Sequence, residues 1–451
     1  LLSGIAAQGQ DAGALLDLFV RKKIITDQEA EEVRGELTRE SAQTPAGKLK
    51  ISNPVTELEI YGDARVRYEI RNGQSGAPST LVTNPDDLFQ RNRHRYRLRL
   101  GLRGTLMDDF LFGLRLETSA SARSTNVTFG DDAGPFGKGS DTVHVGQVYV
   151  GYKGFRDITL MAGRIPNPFV TTSMVWDGDI NPEGLSEQYK HSFSLGDGRA
   201  VELFANFGQF IYDDQNPENP IGPQPVSGGR RVPENDAYLL GYQVGAKYNF
   251  TKDIYLRAAP TIYHYTGYGN DFNTLYLGDP NFRSGTTTIT PNQTGINSLL
   301  VFDMPTEFGF MIGELPARVF GDFAVNLDAD DRATAAGHPD QDDERYAYQV
   351  GVGIGQLKVK RDWQLNVFWQ HQEQFALDPN LVDSDIFDSR LNVEGIAVQG
   401  GYAISDAVTF NVTYAYGEQI NDALGTGGLG DIGVNPLRTY QIFQADLNWK
   451  F

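Results

Sequence analysis

The chain has no cysteine among its 451 residues. In an exported protein that rules out a disulfide framework, so stability has to come from a core or a closed hydrogen-bond network. A run of 18 or more apolar residues is also missing, which excludes a membrane-spanning helix. A β-barrel stays open, because alternation dilutes the lipid-facing residues of a spanning strand. Positive charge is scarce: 39 Lys and Arg against 58 Asp and Glu give a formal net charge of −19, which disfavours nucleic acid as a partner. The apolar fraction is 40%, slightly below the soluble average, yet Gly (50), Phe (26) and Tyr (21) are plentiful. The opening LLSGIAAQ reads either as the tail of a removed signal peptide or as the mature end.

What is present is clearest at the other end. From Thr439 to Phe451, Phe443, Ala445, Leu447, Trp449 and Phe451 fall on one face, and Ile442, Gln444, Asp446, Asn448 and Lys450 on the other. Period two with one apolar and one wet face is a half-buried strand. This stretch resembles the C-terminal strand of bacterial outer-membrane β-barrels. The resemblance implies that Phe443, Leu447, Trp449 and Phe451 form a signal read by the barrel-assembly machinery.

Residues 1–50 differ from the rest. Leu15, Leu16, Leu18, Phe19 and Val20 make an apolar patch, and Thr26 with Glu29 forms a capping box that predicts a helix from Asp27 to Arg39. An amphipathic helical pair packing on itself or on other copies is one reading, and a periplasmic contact, for example with the cell wall, is another. Thr44 to Pro54 reads as a linker. Residues 51–451 form the second domain.

From Glu57 onward period two persists. Sixteen such segments follow, from 58–70 to 438–451, separated alternately by tight turns and long polar connections. The tight turns include 107–109, 154–157, 251–253 and Leu315 with Pro316; the long connections include 71–92, 328–343, 377–389 and 419–436. An even strand number with this alternation predicts an all-β fold, a transmembrane antiparallel barrel with a short N-terminal α-helical segment.

The second segment, RNRHRYRLRLGLRGTLM, places Arg91, Arg93, Arg95, Arg97, Arg99 and Arg103 on one face and Tyr96, Leu98, Leu100, Leu102 and Leu106 on the other. Like charges at i and i+2 repel, and a soluble sandwich could not bury such a face. A hydrated lumen that passes anions makes sense of it. The connection from Pro166 to Glu187 carries Phe169, Val170, Met174, Val175 and Trp176, too apolar for water, and so is expected to fold inside the barrel. It would then narrow the pore and present Asp177, Asp179, Glu183 and Glu187 to the lumen, opposite Arg93, Arg95, Arg97, Arg99 and Arg103. Alternatively, the arginines pair with Glu59, Glu69 and Glu117 and brace the wall.

The segments NPF and WDGDINPEG, GDFAVN (Gly321 to Asn326) and DPNLVDSDIF (Asp378 to Phe387), with the helical N-terminus, resemble the bacterial family of putative porins that carry an N-terminal periplasmic segment. The resemblance implies an outer-membrane diffusion channel in contact with lipopolysaccharide, and a homotrimer, since porins of this size usually are. A phosphate-type anion-selective channel and a barrel-anchored periplasmic tether are the rival readings.

Other sites are weaker. Asp177, Asp179 and Asn181 open like a calcium loop, but Pro182 and Gln188 stand where Gly and Glu are required, leaving at most loose calcium there or at Asp328, Asp330 and Asp331. GTGGLG (Gly425 to Gly430) is followed by no helix pattern, so it is not a nucleotide loop. The six histidines lack metal-ligand spacing, G-x-S-x-G is absent and no acid–base pair stands out. No enzyme activity and no resident cofactor are expected.

Overall fold

A computed structural model describes residues 54–75, 88–119, 124–130, 142–213, 237–267, 298–427, 430–432 and 436–451, with 20–22, 26 and 33. The chain divides into two compact units, Leu1–Asn53 and Pro54–Phe451. In the first, Val20, Arg21 and Val33 are helical. Glu29 of the capping box and most of the expected helix from Asp27 to Arg39 lie outside the described residues.

The second unit is a closed antiparallel barrel of sixteen strands. In chain order they are β1 (Val55–Ser75), β2 (Leu88–Leu106), β3 (Phe110–Ser119), β4 (Thr142–Tyr152), β5 (Ile158–Arg164), β6 (Glu183–Gly196), β7 (Arg199–Asp213) and β8 (Ala237–Asn249). Then come β9 (Tyr255–Ala258 and Thr261–Thr266), β10 (Leu300–Asp303 and Thr306–Ile312), β11 (Leu315–Asn326) and β12 (Tyr346–Gly355). The last four are β13 (Trp363–Gln372), β14 (Val393–Ala403), β15 (Val408–Gln419) and β16 (Leu437–Lys450). β9 and β10 are each broken at a proline, Pro260 and Pro305, which have no N–H to give the ladder. Their carbonyls still accept, from Val244 and Ala259 respectively, so the wall stays continuous.

Each strand pairs with its sequence neighbours, and β1 pairs with β16 through Asp63↔Lys450, Val66↔Leu447 and Gly73↔Tyr440. Closure leaves no edge. The terminal residue joins the seam: Phe451 N donates to Gly62 O at 3.1 Å, and Gly62 N to Phe451 O at 2.9 Å. A Cβ at Gly62 would lie 2.6 Å from the Phe451 ring, so only glycine admits that ring.

Period two sets what faces where. Outward stand Val150, Val244, Val350, Leu365 and Phe410, all exposed, while their sequence neighbours Gln243, Gln349 and Asn411 face inward. Turns at one end are short and connections at the other long. Leu315 and Pro316, expected in a turn, instead begin β11; the turn lies just before them, with Gly313 at φ 62°.

Two long connections differ from the sequence reading. Residues 328–343 contain a helix, α1 (Ala329–Ala335), whose Ala329 and Ala333 pack with Phe375 and Leu424. Residues 377–389, expected as a long polar connection, are largely buried, including Leu377, Leu381, Val382, Ile386 and Phe387. Their apolar side chains drive them inside.

The outward face has the hydrophobicity of a surface that needs an apolar solvent. A charge there, Val350→Arg, is expected to lower folding stability in lipid vesicles by about 2–4 kcal/mol if it lies at mid-depth. Urea titration of vesicle-folded protein measures this; an unchanged midpoint would place β12 outside the apolar band.

Candidate pore

Inside the barrel, residues 165–182 and 373–392 meet. Asp177 N donates to Leu381 O at 2.6 Å, Asp383 N to Ser173 O at 3.1 Å, and Gln372 Nε2 to Met174 O at 2.8 Å. Phe169, Met174 and Trp176 join Leu377, Leu381 and Leu391 in one apolar cluster with Phe210, Tyr263 and Val301 of the wall. The expectation that the first loop packs against protein rests on those aromatics, and they pack edge-on: Phe169 and Tyr263 ring centroids are 5.5 Å apart at 89°. Phe169 also lies over Gly241, where a Cβ would come within 2.2 Å of its ring. The loop is tied down by Gln243, which accepts from Val170 N at 2.9 Å and donates to Val170 O at 2.8 Å.

The arginines of β2 point inward, and each has a partner. Arg93 donates to Glu69 at 2.6 Å and pairs with Asp431, to which Arg91 donates at 3.1 Å. Arg95 donates to Asn126 O at 3.1 Å and lies 3.7 Å from Glu69. Arg97 and Arg99 share Asp63 of β1, at 2.8 and 2.6 Å, and both approach Asp179 of the first inner loop, at 3.6 and 3.4 Å. Arg103 stands at the short-turn end on Glu59, 2.6 Å away, largely exposed. Glu117, considered as a partner for this row, is bound by Arg115 instead.

A second basic row on β1 escaped the sequence reading. Arg67 forms a two-point bond to Asp446, at 2.7 and 2.9 Å, and reaches Asp385 at 2.8 Å. Arg71 donates to Asp388 at 2.7 Å. Asp385 and Asp388 sit in the second inner loop, so these bonds fasten that loop to the wall. The signal was available: residues 377–389 carry the same mix of apolar residues and acids as 166–187.

The four predicted acids separate. Asp179 faces Arg97 and Arg99, whereas Asp177 is buried against the second loop, near Ser384 and Asp383. Glu183 and Glu187 do not face the lumen. They share the outward side of β6 with Leu185 and Tyr189, and their cross-strand partners are Arg164 and Leu160. The first inner loop ends at residue 182, so the strand's alternation, not the loop, sets their direction. The calcium-loop positions do not converge either: Asp179 is held by arginines and Thr125, and Asn181 Oδ1 accepts from Gln147 at 2.9 Å. Asp330 and Asp331 form the first turn of α1.

Burial, and then the charge of Asp179, pushes the Asp177 carboxyl up to about 6. Burial pushes Asp383 up as well, helped by Asp177 and Asp385. Burial also acts on Asp385 and Asp431, but Arg67, Arg65 and Arg71 outweigh it at Asp385, and Arg71 and Arg93 at Asp431, holding both below the usual carboxylate range. The mixed outcome tracks distance to the arginines.

Beneath the loops, towards the short turns, lies a cavity of about 980 Å³. Arg65, Arg97, Arg99, Gln364, Asn366 and Asn411 are among the residues that line it.

A family profile described as "Putative porin" matches residues 19–302. No curated protein matches the chain. Among solved structures, a mutant Rh. blastica porin aligns at 10% identity over 88% of this chain and 100% of its own, with a TM-score of 0.41. Salmonella typhi OmpF in complex with daunomycin aligns at 12% identity over 89% and 100%, with a TM-score of 0.44.

The direction of the Asp177 shift fixes a pH effect. A carboxyl that holds its proton more tightly when folded stabilises the fold below about pH 4, and that contribution is lost as pH rises through about 6. Asp177→Asn is expected to flatten the thermal midpoint of detergent-solubilised protein across that window. A profile identical to wild type would show that other groups set it.

Proposed function

The chain belongs to the putative porin family, and from that premise we propose that it is a passive outer-membrane channel for small hydrophilic or charged solutes. Its narrow zone is where Asp179 of the first inner loop meets Arg97 and Arg99 of β2. The observation that carries this reading is the cavity below the loops, bordered by seven cationic side chains (Arg65, Arg97, Arg99, Arg318, Lys252, Lys358 and Lys450) and three acids (Asp253, Glu314 and Asp446). Such an excess favours anions in that half of the lumen. Because Asp63 and Asp179 engage Arg97 and Arg99, the wall is a partly neutralised field rather than a bare row of charge.

In this reading the short turns face the periplasm; the N-terminal segment is proposed on its own account to be periplasmic and to contact the cell wall. The long connections face lipopolysaccharide, and the final strand, ending in Phe443, Leu447, Trp449 and Phe451, is what the assembly machinery reads.

Planar-bilayer recordings test the channel. Replacing Arg65, Arg97 and Arg99 by Ala is expected to shift the reversal potential in a salt gradient towards cations; an unmoved potential would refute the anion preference. Deleting residues 1–50 is expected to leave conductance unchanged. No conductance in the intact protein would favour a barrel-anchored tether, and its loss on deletion would refute a channel formed by the barrel alone.

A homotrimer follows from the same family reading, and one outward patch supports a location for the contact. Glu187 Oε1 accepts from Gln209 at 3.3 Å, while the buried Oε2 has no hydrogen-bond partner. A carboxylate facing lipid is costly, and a neighbouring copy would relieve it. A cysteine at Gln209 is expected to crosslink copies in native membranes with short bifunctional reagents. Exclusive crosslinking from β12 or β13 would move the interface elsewhere.

A further inference from the structure

Five buried oxygen atoms without a hydrogen-bond partner belong to four inward residues of β9 to β12. They are both carboxylate oxygens of Asp303, Asp322 Oδ1, Tyr263 Oη and Gln349 Oε1. Asp303 is fully inaccessible, and Asp322, Gln349 and Tyr263 are each at most 5% exposed. The strand register gathers them: Asp303 pairs with Ala324, two residues from Asp322, and Asp322 pairs directly with Gln349. Tyr263 lies two residues from Thr261, the partner of Asp303 on the other side. The two carboxyls lie against one another, and both act electrostatically on the Tyr263 phenol.

Such an arrangement is expensive as it stands. Two facing carboxylates in a dry site cannot both stay ionised without a counter-charge, and no salt bridge reaches either one among the described residues. Each unpaired buried oxygen adds a desolvation cost of its own. A proton shared by the carboxyls would satisfy one oxygen on each. The Tyr263 hydroxyl could serve the second oxygen of Asp303, and Gln349 Oε1 would still have no donor. A cation held between the two carboxylates would supply the missing counter-charge and give the neighbouring neutral oxygens a partner.

We propose that Asp303 and Asp322, with Tyr263 and Gln349 as neutral oxygen donors, form a binding site for one calcium ion beneath the first inner loop. An all-oxygen donor set carrying two negative charges suits a hard divalent cation, and calcium tolerates the irregular geometry that four adjacent strands impose. The site reaches the loop directly, because the Thr172 hydroxyl donates to Asp322 Oδ2. Gln243, which holds Val170, also donates to Thr261 at 2.7 Å, so a second strut runs from the loop to the strand beside Asp303. An ion here fixes the loop's far side to β10 and β11, opposite its contact with Arg97 and Arg99. This differs from the calcium position considered at Asp177, Asp179 and Asn181, and it stands whether or not the barrel conducts.

The test uses the full chain in detergent, stripped with EGTA and dialysed into 0.15 M salt to screen the acidic outer loops. Calcium chloride is expected to raise the thermal midpoint, with calorimetry giving one saturable site per chain. Asp303→Asn and Asp322→Asn should each abolish both responses. Each should also be at least as stable as wild type without calcium, since either change removes one of the two facing charges. No calcium response in the wild-type chain would overturn the proposal. So would a response preserved in both variants, which would mark adventitious binding to other acids. A wild-type chain that ignores calcium, but whose pH-dependent stability disappears in Asp303→Asn, would assign the pair a shared proton and likewise refute the ion.

Discussion

The fold depends on the hydrogen-bonded seam between β1 and β16. In an apolar solvent an unpaired backbone group costs several kcal/mol, so a sheet can live there only if its first and last strands meet. Everything else about the barrel is arranged around that requirement. Alternation keeps most of the outer surface apolar and sends most polar side chains to the inside, with Glu183, Glu187 and Gln209 as outward exceptions. The final phenylalanine exchanges backbone bonds with Gly62, and an absent side chain at that position makes room for its ring.

Sending the polar residues inward creates a second problem, which the inner loops solve. Filling the upper lumen with apolar side chains from 165–182 and 373–392 dries the interior, and the basic rows of β1 and β2 then need counter-charges. The loops bring them as Asp179, Asp385 and Asp388, joined by Asp431 from the last connection. A chain with a large net negative charge can therefore hold a dense cationic wall. Where the loops stop, the wall is open to the cavity, and Arg65, Arg97 and Arg99 border it.

Much of the barrel was legible because period two is a strong signal when repeated sixteen times between turns of alternating length. The direction of the β2 arginines was legible for the same reason. The inward course of residues 165–182 could be read from Phe169, Met174 and Trp176, residues that water would not accommodate. The second inner loop was not legible because Asp378, Asp383, Asp385 and Asp388, interspersed among Leu377, Leu381, Ile386 and Phe387, give it the composition of a solvated connection. Glu187 was misread because the end of the loop was set too late, and a strand assigns sides residue by residue. Nothing local in the sequence marks Asp303 and Asp322: they stand on different strands and meet only through register. The same holds for most partners of the β1 arginines; Glu69, two residues from Arg71 on the same strand, is the exception.

Those partners are far away along the chain. Arg67 takes its carboxylates from positions 318 and 379 residues later, and Arg71 from one 317 residues later. β1 thus carries cations most of whose counter-ions come late in the chain, and a half-built wall would leave them only partly matched, by Glu69. Assembly must then be nearly all-or-none, because a truncated or stalled chain gains little until the final hairpin arrives. High sequence separation of this kind slows folding in water and makes intermediates prone to aggregate. For this molecule it also means that only a chain that has reached Asp446 brings Arg67 both of its long-range carboxylates.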